Sequence, residues 1–465
     1  MRSSELASEH RPIERPKPHL MRQLATVISI AGLLVATAAF RSTQNMAQTT
    51  LPLLGKQRLG LGASDIGVLG AAGALLGAGA TVGIARRIPW RLSALEAAVG
   101  SAITIAAVVL FWFSGHLALF IIATLLLAFA GGIAMPGLAA AFGTTRAMHR
   151  ERALGLYTLT LSASLALGPV VEGVVLALSH QNLREPFLVF IPVAGLGTIA
   201  VVPYGLRCWR EHQDASRAQM AETSGAFGVG DTGQLPAAVV DQPITEGTRQ
   251  HRRGGKLGRI KARLRSDPLF GTKPGRLALN GQLLYSMPFS AVVVFGGLAE
   301  HDLYHVNPSV TEAAFTTFFL TSFLTRLVIT WKAPLAHKGA WLAASAVLTI
   351  IGVFVFGAGN AEWELFAAMA ILGVPHGLTF PTSLALLAES APPEELPKAN
   401  SSLFATTSIT NVTAPAILGA IADTLGYRAM LLLVLVPVAV FGGALISQLW
   451  PSEPQKLDSR LNSAT

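Results

Sequence analysis

The stretch GLYTLTLSASLALGPVVEG, residues 155–173, decides the fold. It carries no charge before Glu172, and glycine, alanine and serine recur along it. In water, a helix with internal glycine and proline would be unstable. In a bilayer, small residues let helices approach closely, and neighbouring segments satisfy the backbone groups that proline leaves unpaired. The stretch therefore predicts a membrane helix that packs tightly on its neighbours.

The composition of the whole chain also indicates a membrane protein. Only 13% of the 465 residues are charged, whereas soluble proteins average roughly 25%. The single cysteine, Cys208, excludes an intrachain disulfide and a cysteine-based metal cluster. No cleavable signal peptide is expected, because the apolar stretch after the polar residues 1–22 is too long for one.

Apolar stretches long enough to cross a bilayer, at roughly 20 residues each, recur along the chain. They predict twelve transmembrane helices, at 23–50, 65–85, 92–113, 117–142, 153–179, 186–206, 277–299, 311–331, 339–358, 363–388, 398–423 and 428–449. The predicted domains are a cytoplasmic N-terminal tail (1–22), a six-helix bundle (23–206), a cytoplasmic linker (207–276), a second six-helix bundle (277–449) and a cytoplasmic C-terminal tail (450–465).

Lysine and arginine in the loops predict the orientation, because positively charged loops stay on the cytoplasmic side. With both termini in the cytoplasm, the other side keeps only five of the 35 basic residues: Arg41, Lys56, Arg58, Arg184 and Arg428. We therefore expect a multi-pass protein of the inner cell membrane with both termini cytoplasmic.

The linker contains two kinds of sequence. Residues 223–248 are rich in small and polar residues, which predicts disorder. The run KLGRIKARLRSDPLF, residues 256–270, predicts a cationic amphipathic helix on the anionic lipid of the inner surface. Binding to nucleic acid is not expected, because no aromatic residues alternate with these charges.

The two halves of the chain repeat each other. Gly132 and Pro136 of predicted helix four match Gly377 and Pro381 of helix ten, offset by 245 residues (377 − 132). Pro169 and Gly173 of helix five match Pro415 and Gly419 of helix eleven, offset by 246 (415 − 169). A nearly constant offset predicts two homologous bundles that face each other across a pseudo-two-fold axis.

These features resemble the major facilitator superfamily. Its fifth-helix antiporter signature is matched by the spacing of Gly155, Ser164, Gly168, Pro169 and Gly173, although the signature has glycine where this chain has Ser164 and Glu172. The run LPLL at 51–54 resembles the twelve-helix drug and metabolite exporter group. The loop VGIARRIPWR, 82–91, departs from the family pattern, with Arg86 at the place of an aspartate. The resemblance implies an all-α membrane protein of two pseudo-symmetric six-helix bundles.

Ionisable groups deep in a membrane are functional candidates, because burying them is costly. Arg41 lies about 28 Å along its helix from Arg22, and Glu172 about 30 Å from Arg152. Since the resemblance implies that helices one and five are neighbours, we predict an Arg41–Glu172 charge pair that faces a central cavity. The alternative is that Arg41 extends to the outer headgroups. Glu172 is the first candidate for proton coupling.

Further candidates are a histidine and several polar residues. His376 is expected near the midplane, either as a proton carrier or as a packing histidine that donates to a carbonyl. Polar residues in helices one, seven and eleven either bond a neighbouring helix or contact solute; these are Gln44, Asn45, Asn280, Gln282, Tyr285 and Asn411.

The sequence shows no enzyme constellation, no phosphate-binding glycine loop and no metal-ligand spacing, so neither a cofactor nor a metal is expected. We predict a proton-coupled exporter of small organic molecules that works as a monomer by alternating access. Two alternatives remain: an uptake or facilitative carrier for a metabolite anion, and a non-transporting sensor or scaffold that acts through the basic linker.

Overall fold

The computed structural model describes residues 18–84, 87–145, 150–226, 267–332, 335–390 and 396–449. The described part of the chain is helical and has no strand. Its main helices are α1 (Pro18–Leu59), α2 (Ala63–Gly83), α3 (Ser93–Phe113), α4 (Leu117–Thr144), α5 (Arg150–Leu178), α6 (Glu185–Ala226), α7 (Lys273–Tyr304), α8 (Pro308–Trp331), α9 (Lys338–Ala358), α10 (Glu362–Ser390) and the run Leu396–Leu449. Gly426, at φ 82°, divides that run into α11 (396–425) and α12 (427–449).

These helices are built for a bilayer. Ten helical runs among the described residues, the last containing both α11 and α12, are long and apolar enough to cross a membrane. Their outward faces expose large apolar side chains, such as Val68, Leu75, Ile199 and Val436. In water such a surface would be unfavourable, whereas lipid solvates it. The predicted all-α membrane fold is therefore confirmed.

The helices form two six-helix bundles. In the first, α1 packs on α5 and α6, and α3 packs on α4 and α6; in the second, α7 packs on α10, and α9 on α10 and α12. Phe111, Phe120 and Phe187 form an aromatic core in the first bundle, and Phe318 and Phe319 meet edge to face in the second. The bundles contact each other mainly through α2 with α11 and through α5 with α8.

The repeated glycines have matching structural roles. A Cβ at Gly132 would meet the Gly77 carbonyl of α2, and a Cβ at Gly377 would meet the Ser322 carbonyl of α8. These contacts hold α4 against α2 and α10 against α8, so they are equivalent within the two bundles.

The second repeated pair lies between the bundles. A Cβ at Gly173 in α5 would lie 3.3 Å from the Glu312 Cβ of α8, and a Cβ at Gly419 in α11 would meet the Ala63 carbonyl of α2. Small residues therefore permit both contacts by which the bundles meet. The sequence repeat thus corresponds to a pseudo-two-fold repeat of helix packing.

The region between the bundles differs from the prediction at its start. We expected a polar linker from residue 207, but α6 continues as a helix to Ala226. An i,i+4 ion pair at 3.1 Å, between Arg207 and Glu211, lies on this extension. Most of the segment with predicted disorder and most of the predicted amphipathic helix lie outside the described residues.

The bundles are joined by hydrogen bonds at one end, which we call the closed end. The Asp423 carboxylate of α11 accepts from the backbone N–H groups of Ala63 (2.8 Å) and Ser64 (2.7 Å), the first residues of α2. At the same end, between the segment after α5 and the start of α8, Gln181 donates to the Ser309 hydroxyl (3.0 Å) and accepts from the Ser309 N–H (2.9 Å). Both contacts connect the first bundle to the second.

Candidate functional site

A central cavity of about 540 Å³ lies between the two bundles. Helices α1, α2 and α4 line it from the first bundle, and α7 and α11 line it from the second. Its polar lining side chains are Arg41, Gln44, Gln48, Thr81, Thr124, Ser290, Ser408 and Asn411. Its apolar walls include Phe120, Leu127, Met135 and Phe289. A cavity of this volume and mixed lining suits a small organic molecule.

Three of the predicted site residues line this cavity: Arg41, Gln44 and Asn411. Gln44 also donates to the Leu127 carbonyl of α4 at 3.0 Å, which fixes its amide. Asn45 has a different position, since it donates to the Leu165 carbonyl of α5 at 2.7 Å and is buried. Asn45 therefore holds α1 against α5 and does not line the cavity.

The helix-five motif lies along the same α1–α5 contact. A Cβ at Gly168 would lie 2.8 Å from the Ser42 carbonyl of α1, so only glycine permits this approach. The Ser164 hydroxyl donates to the Thr160 carbonyl at 2.5 Å. Pro169 lies inside α5, and Gly155 faces open space. In this structure the motif is a close-packing element around Gly168 and Gly173.

Among the predicted residues of α7, Gln282 and Tyr285 are buried, whereas Asn280 is half-buried and does not line the cavity. Tyr285 is only 5% exposed. Within the described part of the chain, the Gln282 Oε1 and the Tyr285 hydroxyl have no hydrogen-bond partner. Buried polar atoms without partners are rare in folded proteins, so these two indicate a place where a ligand or water can bind.

His376 lies in an aromatic cluster beside the cavity wall. Its ring stacks on Phe289 at 4.6 Å and an interplanar angle of 11°, and lies 5.2 Å from Phe318 and 5.6 Å from Tyr285. The predicted ring bond to a carbonyl is not formed in the described region, where the Nε2 atom of His376 has no partner. Aromatic rings on several sides hold this histidine in place.

The predicted Arg41–Glu172 ion pair is wrong. The Glu172 carboxylate accepts hydrogen bonds from the hydroxyls of Thr49, at 2.9 Å, and Thr50. Thr49 follows Arg41 by eight residues (49 − 41), about 12 Å along α1. The depth of Arg41 was counted from Arg22 and the depth of Glu172 from Arg152. These two reference residues are on different helices and need not lie at the same depth in the membrane. Ion pairs in the described residues join Arg207 to Glu211 and Lys338 to Glu389.

Glu172 instead belongs to an acidic cluster of three fully buried carboxyl groups, Glu172 of α5, Glu300 of α7 and Glu312 of α8. The Glu172 and Glu312 side chains meet across the interface between the bundles. Glu300 lies near Glu312 and beside the Thr311 hydroxyl. In the described structure, no donor reaches either carboxylate oxygen of Glu300 or Glu312.

Arg41 belongs to a second group, the arginine pair Arg41 and Arg326. Arg41 of α1 lies within electrostatic range of Arg326 of α8 and of Tyr157 of α5. Arg326 donates to the Ser162 hydroxyl of α5 at 2.8 Å and to the His376 carbonyl at 3.4 Å. Neither arginine pairs with a carboxylate in the described part of the chain.

Sequence reasoning missed Glu300, Glu312 and Arg326 as site residues. Glu300 lies one residue beyond predicted helix seven (277–299), and Glu312 is the second residue of predicted helix eight (311–331). In the structure α7 ends later, at Tyr304, and α8 begins earlier, at Pro308. Both glutamates therefore lie within helices, and their side chains are buried. The sequence did contain a signal for these two glutamates: a charged residue lies within one turn of the end of a predicted span on each side of a short loop.

Comparisons with known proteins agree with this architecture. The family model of the Major Facilitator Superfamily matches residues 278–464. No curated protein matches the sequence. The crystal structure of nucleoside transporter NupG is similar with a TM-score of 0.64 at 11% identity, covering 90% of this chain and 98% of that chain.

Two further structures are POT family transporters, one in complex with a thioalcohol conjugated peptide and one with 5-aminolevulinic acid. Each has a TM-score of 0.63 at 12% identity and covers 90% of this chain and 95% of that chain. At such identities the likeness concerns the fold alone.

Proposed function

We propose proton-coupled transport of small organic molecules by alternating access for this chain, which belongs to the major facilitator superfamily and is an integral multi-pass membrane protein. The observation that carries the proposal is the contact between Glu172 and Glu312 across the bundle interface. The transporting unit is one chain, because both sides of this interface come from the same polypeptide.

The contact links proton binding to the shape of the protein. Two carboxylates about 4 Å apart repel each other by about 4 kcal/mol at an effective dielectric constant near 20. One proton shared between Glu172 and Glu312 removes this repulsion and supplies a hydrogen bond. Thr49 and Thr50 meanwhile hold Glu172 in place from α1. Proton binding therefore favours the conformation in which the closed end is closed, and proton release favours its opening.

The central cavity is the proposed substrate site. It is lined by both bundles, so a rocking motion that separates the bundles at the closed end also changes the cavity. The cavity and the acidic cluster thereby respond to a single conformational change. This arrangement lets a proton and a substrate influence each other without direct contact.

We propose export as the direction of transport, from the inner cell membrane with both termini cytoplasmic. Support comes from the antiporter-like motif of α5 and from the loop charges described above. In export by exchange, proton and substrate move in opposite directions. In the uptake alternative with symport, they move in the same direction. The scaffold alternative depends on the basic linker, most of which lies outside the described residues.

The test uses inside-out membrane vesicles with an acid interior and a pH-sensitive dye. Export by exchange predicts that an added substrate enters as protons leave, so the interior becomes more alkaline; symport predicts further acidification. Glu172→Gln should abolish either signal. Glu96→Gln is the matched control, because Glu96 is a buried carboxyl of α3 outside the acidic cluster.

Equal signals from wild type and Glu172→Gln would remove the acidic cluster from the mechanism. Substrate entry with no pH change in wild type would replace proton coupling by facilitated transport. A substrate panel of drugs, organic cations and organic anions covers the three classes of solute that the cavity could hold.

A further inference from the structure

We infer that Arg41 and Arg326 form an anion site at the bundle interface, which binds the negatively charged group of an amphipathic organic anion whose apolar body occupies the central cavity. This inference rests on the proposed function, because it names the substrate class of the same cavity. Its observations are separate from those of the acidic cluster.

The first observation is the position of two uncompensated positive charges. Arg41 projects from the first bundle and lines the cavity, and Arg326 comes from the second bundle within electrostatic range of it. In the described region, Arg326 bonds only neutral oxygens, and its Nε atom has no partner. Both arginines are half-buried, and charges withdrawn from water inside proteins are normally paired, so a negative partner is missing from this site.

The second observation is the chemistry of the surrounding groups. Tyr157 and Ser162 face the pair from α5, Tyr285 from α7 and His376 from α10. All four side chains can donate a hydrogen bond. The Tyr285 hydroxyl and the Nε2 atom of His376, at 5% and 9% residue exposure, have no partner in the described structure. Among the described residues, no carboxylate faces the pair.

Arginine suits this role for geometric reasons. Its planar guanidinium binds carboxylate or phosphate through two parallel hydrogen bonds, and it stays charged at any physiological pH. Two guanidinium groups on opposite bundles repel each other when nothing lies between them. A bound anion replaces this repulsion by attraction to both, so anion binding draws the bundles together at this level.

The apolar walls of the cavity indicate the chemistry of the rest of the ligand. Phe120, Leu127, Met135 and Phe289 provide an apolar surface next to Arg41. The volume of about 540 Å³ accommodates a drug-sized or metabolite-sized molecule and excludes a polymer. The ligand class is therefore a small anion with an apolar or aromatic body.

The test compares ligands that share one ring system and differ in charge. The probes are 1-naphthoate and 1-naphthyl phosphate, with uncharged 1-naphthamide and cationic 1-naphthylmethylamine as controls. Thermal unfolding of the purified full-length protein is followed at neutral pH with each probe at millimolar concentration. We expect the two anions to raise the melting temperature, and the amide and the amine to leave it unchanged.

The variants locate the site. Arg41→Gln and Arg326→Gln should weaken the apparent affinity for the anions by about tenfold or more, as expected for losing a charge-assisted bidentate contact. Arg41→Lys and Arg326→Lys keep the charge and should retain part of the effect; they also serve if a glutamine variant fails to fold. Arg207→Gln is the surface control, because Arg207 is exposed on the extension of α6.

The inference is overturned if no anion stabilises the wild type, if the amine or the amide stabilises it more than the anions, or if the arginine variants respond like Arg207→Gln. The outcome is separable from that of the proposed function. Anion binding without proton movement removes only the coupling, whereas proton-coupled transport of a cation keeps the coupling and removes this site.

Discussion

The acidic cluster and the arginine pair are two versions of one arrangement. In each, side chains of equal charge from opposite bundles face each other: Glu172 and Glu312 in the first, Arg41 and Arg326 in the second. The two differ in what can relieve the repulsion. A proton fits between two carboxyl groups, whereas two guanidinium groups need an anion with several acceptor oxygens.

The difference assigns separate tasks to the two regions. The acidic cluster lies next to the closed end, since Glu312 is one helical turn from Ser309, which contacts Gln181. The arginine pair adjoins the cavity. Proton binding should therefore control how firmly the closed end is held, and anion binding should control the centre. The following experiments separate these effects.

The largest effect is expected from Arg326→Glu. The new carboxylate would pair with Arg41 in place of the anion, so transport of an organic anion should fall about 100-fold or more, to background. Uptake of labelled 1-naphthoate into proteoliposomes measures this. The double variant Arg41→Glu with Arg326→Glu should not recover uptake, since it removes both cations. Uptake that persists in Arg326→Glu would show that the two arginines do not act as a pair.

A smaller effect is expected from Glu312→Gln, which should change the cross-linking rate at the closed end about tenfold at alkaline pH. In a protein with Cys208→Ser, cysteines at Gln181 and Ser309 would report closure by the rate at which they cross-link through a short bifunctional thiol reagent. With Glu312 present, cross-linking should be faster at acid pH than at alkaline pH, because a proton removes the repulsion from Glu172. In Glu312→Gln the repulsion is absent at every pH, so the rate should be high and pH-independent.

The matched control is Glu96→Gln, which should keep the wild-type pH dependence, provided that rates are corrected for the pH dependence of the reagent. An identical pH dependence in Glu312→Gln and Glu96→Gln would mean that the acidic cluster does not govern the closed end.

A further, still smaller effect on the closed end is expected from Gly173→Val. A Cβ at this position would lie 3.3 Å from the Glu312 Cβ, and the valine methyl groups would push α5 and α8 apart at a cost of about 1–3 kcal/mol. Cross-linking at the closed end should slow, while anion affinity at the arginine pair stays within about twofold. Gly155→Val is the control, because Gly155 faces open space in the same helix. Equal changes at both regions would contradict their separation.

The sequence predicted the architecture well, because bilayer-length apolar runs and the repeated glycines are local signals. Gly132 and Gly377, and Gly173 and Gly419, took equivalent positions, as their offsets implied. The site was predicted less well. Arg41 and Glu172 were each recognised as buried charges, but their partners are Arg326 and Glu312 on α8. Side-chain partners depend on the relative height and rotation of two helices, which residue counting along either helix alone does not determine.

The smallest effect is expected at the closed end itself, from Asp423→Asn. The Asp423 carboxylate accepts from the first two N–H groups of α2 across the interface, where a negative charge also stabilises the helix N-terminus, by about 0.3–1 kcal/mol. Asparagine keeps one acceptor and loses the charge, so cross-linking between positions 181 and 309 should slow only about two- to fivefold. The control is Asp65→Asn, since Asp65 accepts from the Gly62 N–H within the same bundle. If Asp423→Asn slows cross-linking as much as Gly173→Val does, then the helix-end contact holds the bundles together as strongly as the α5–α8 contact, and proton control through Glu312 would account for only part of closure.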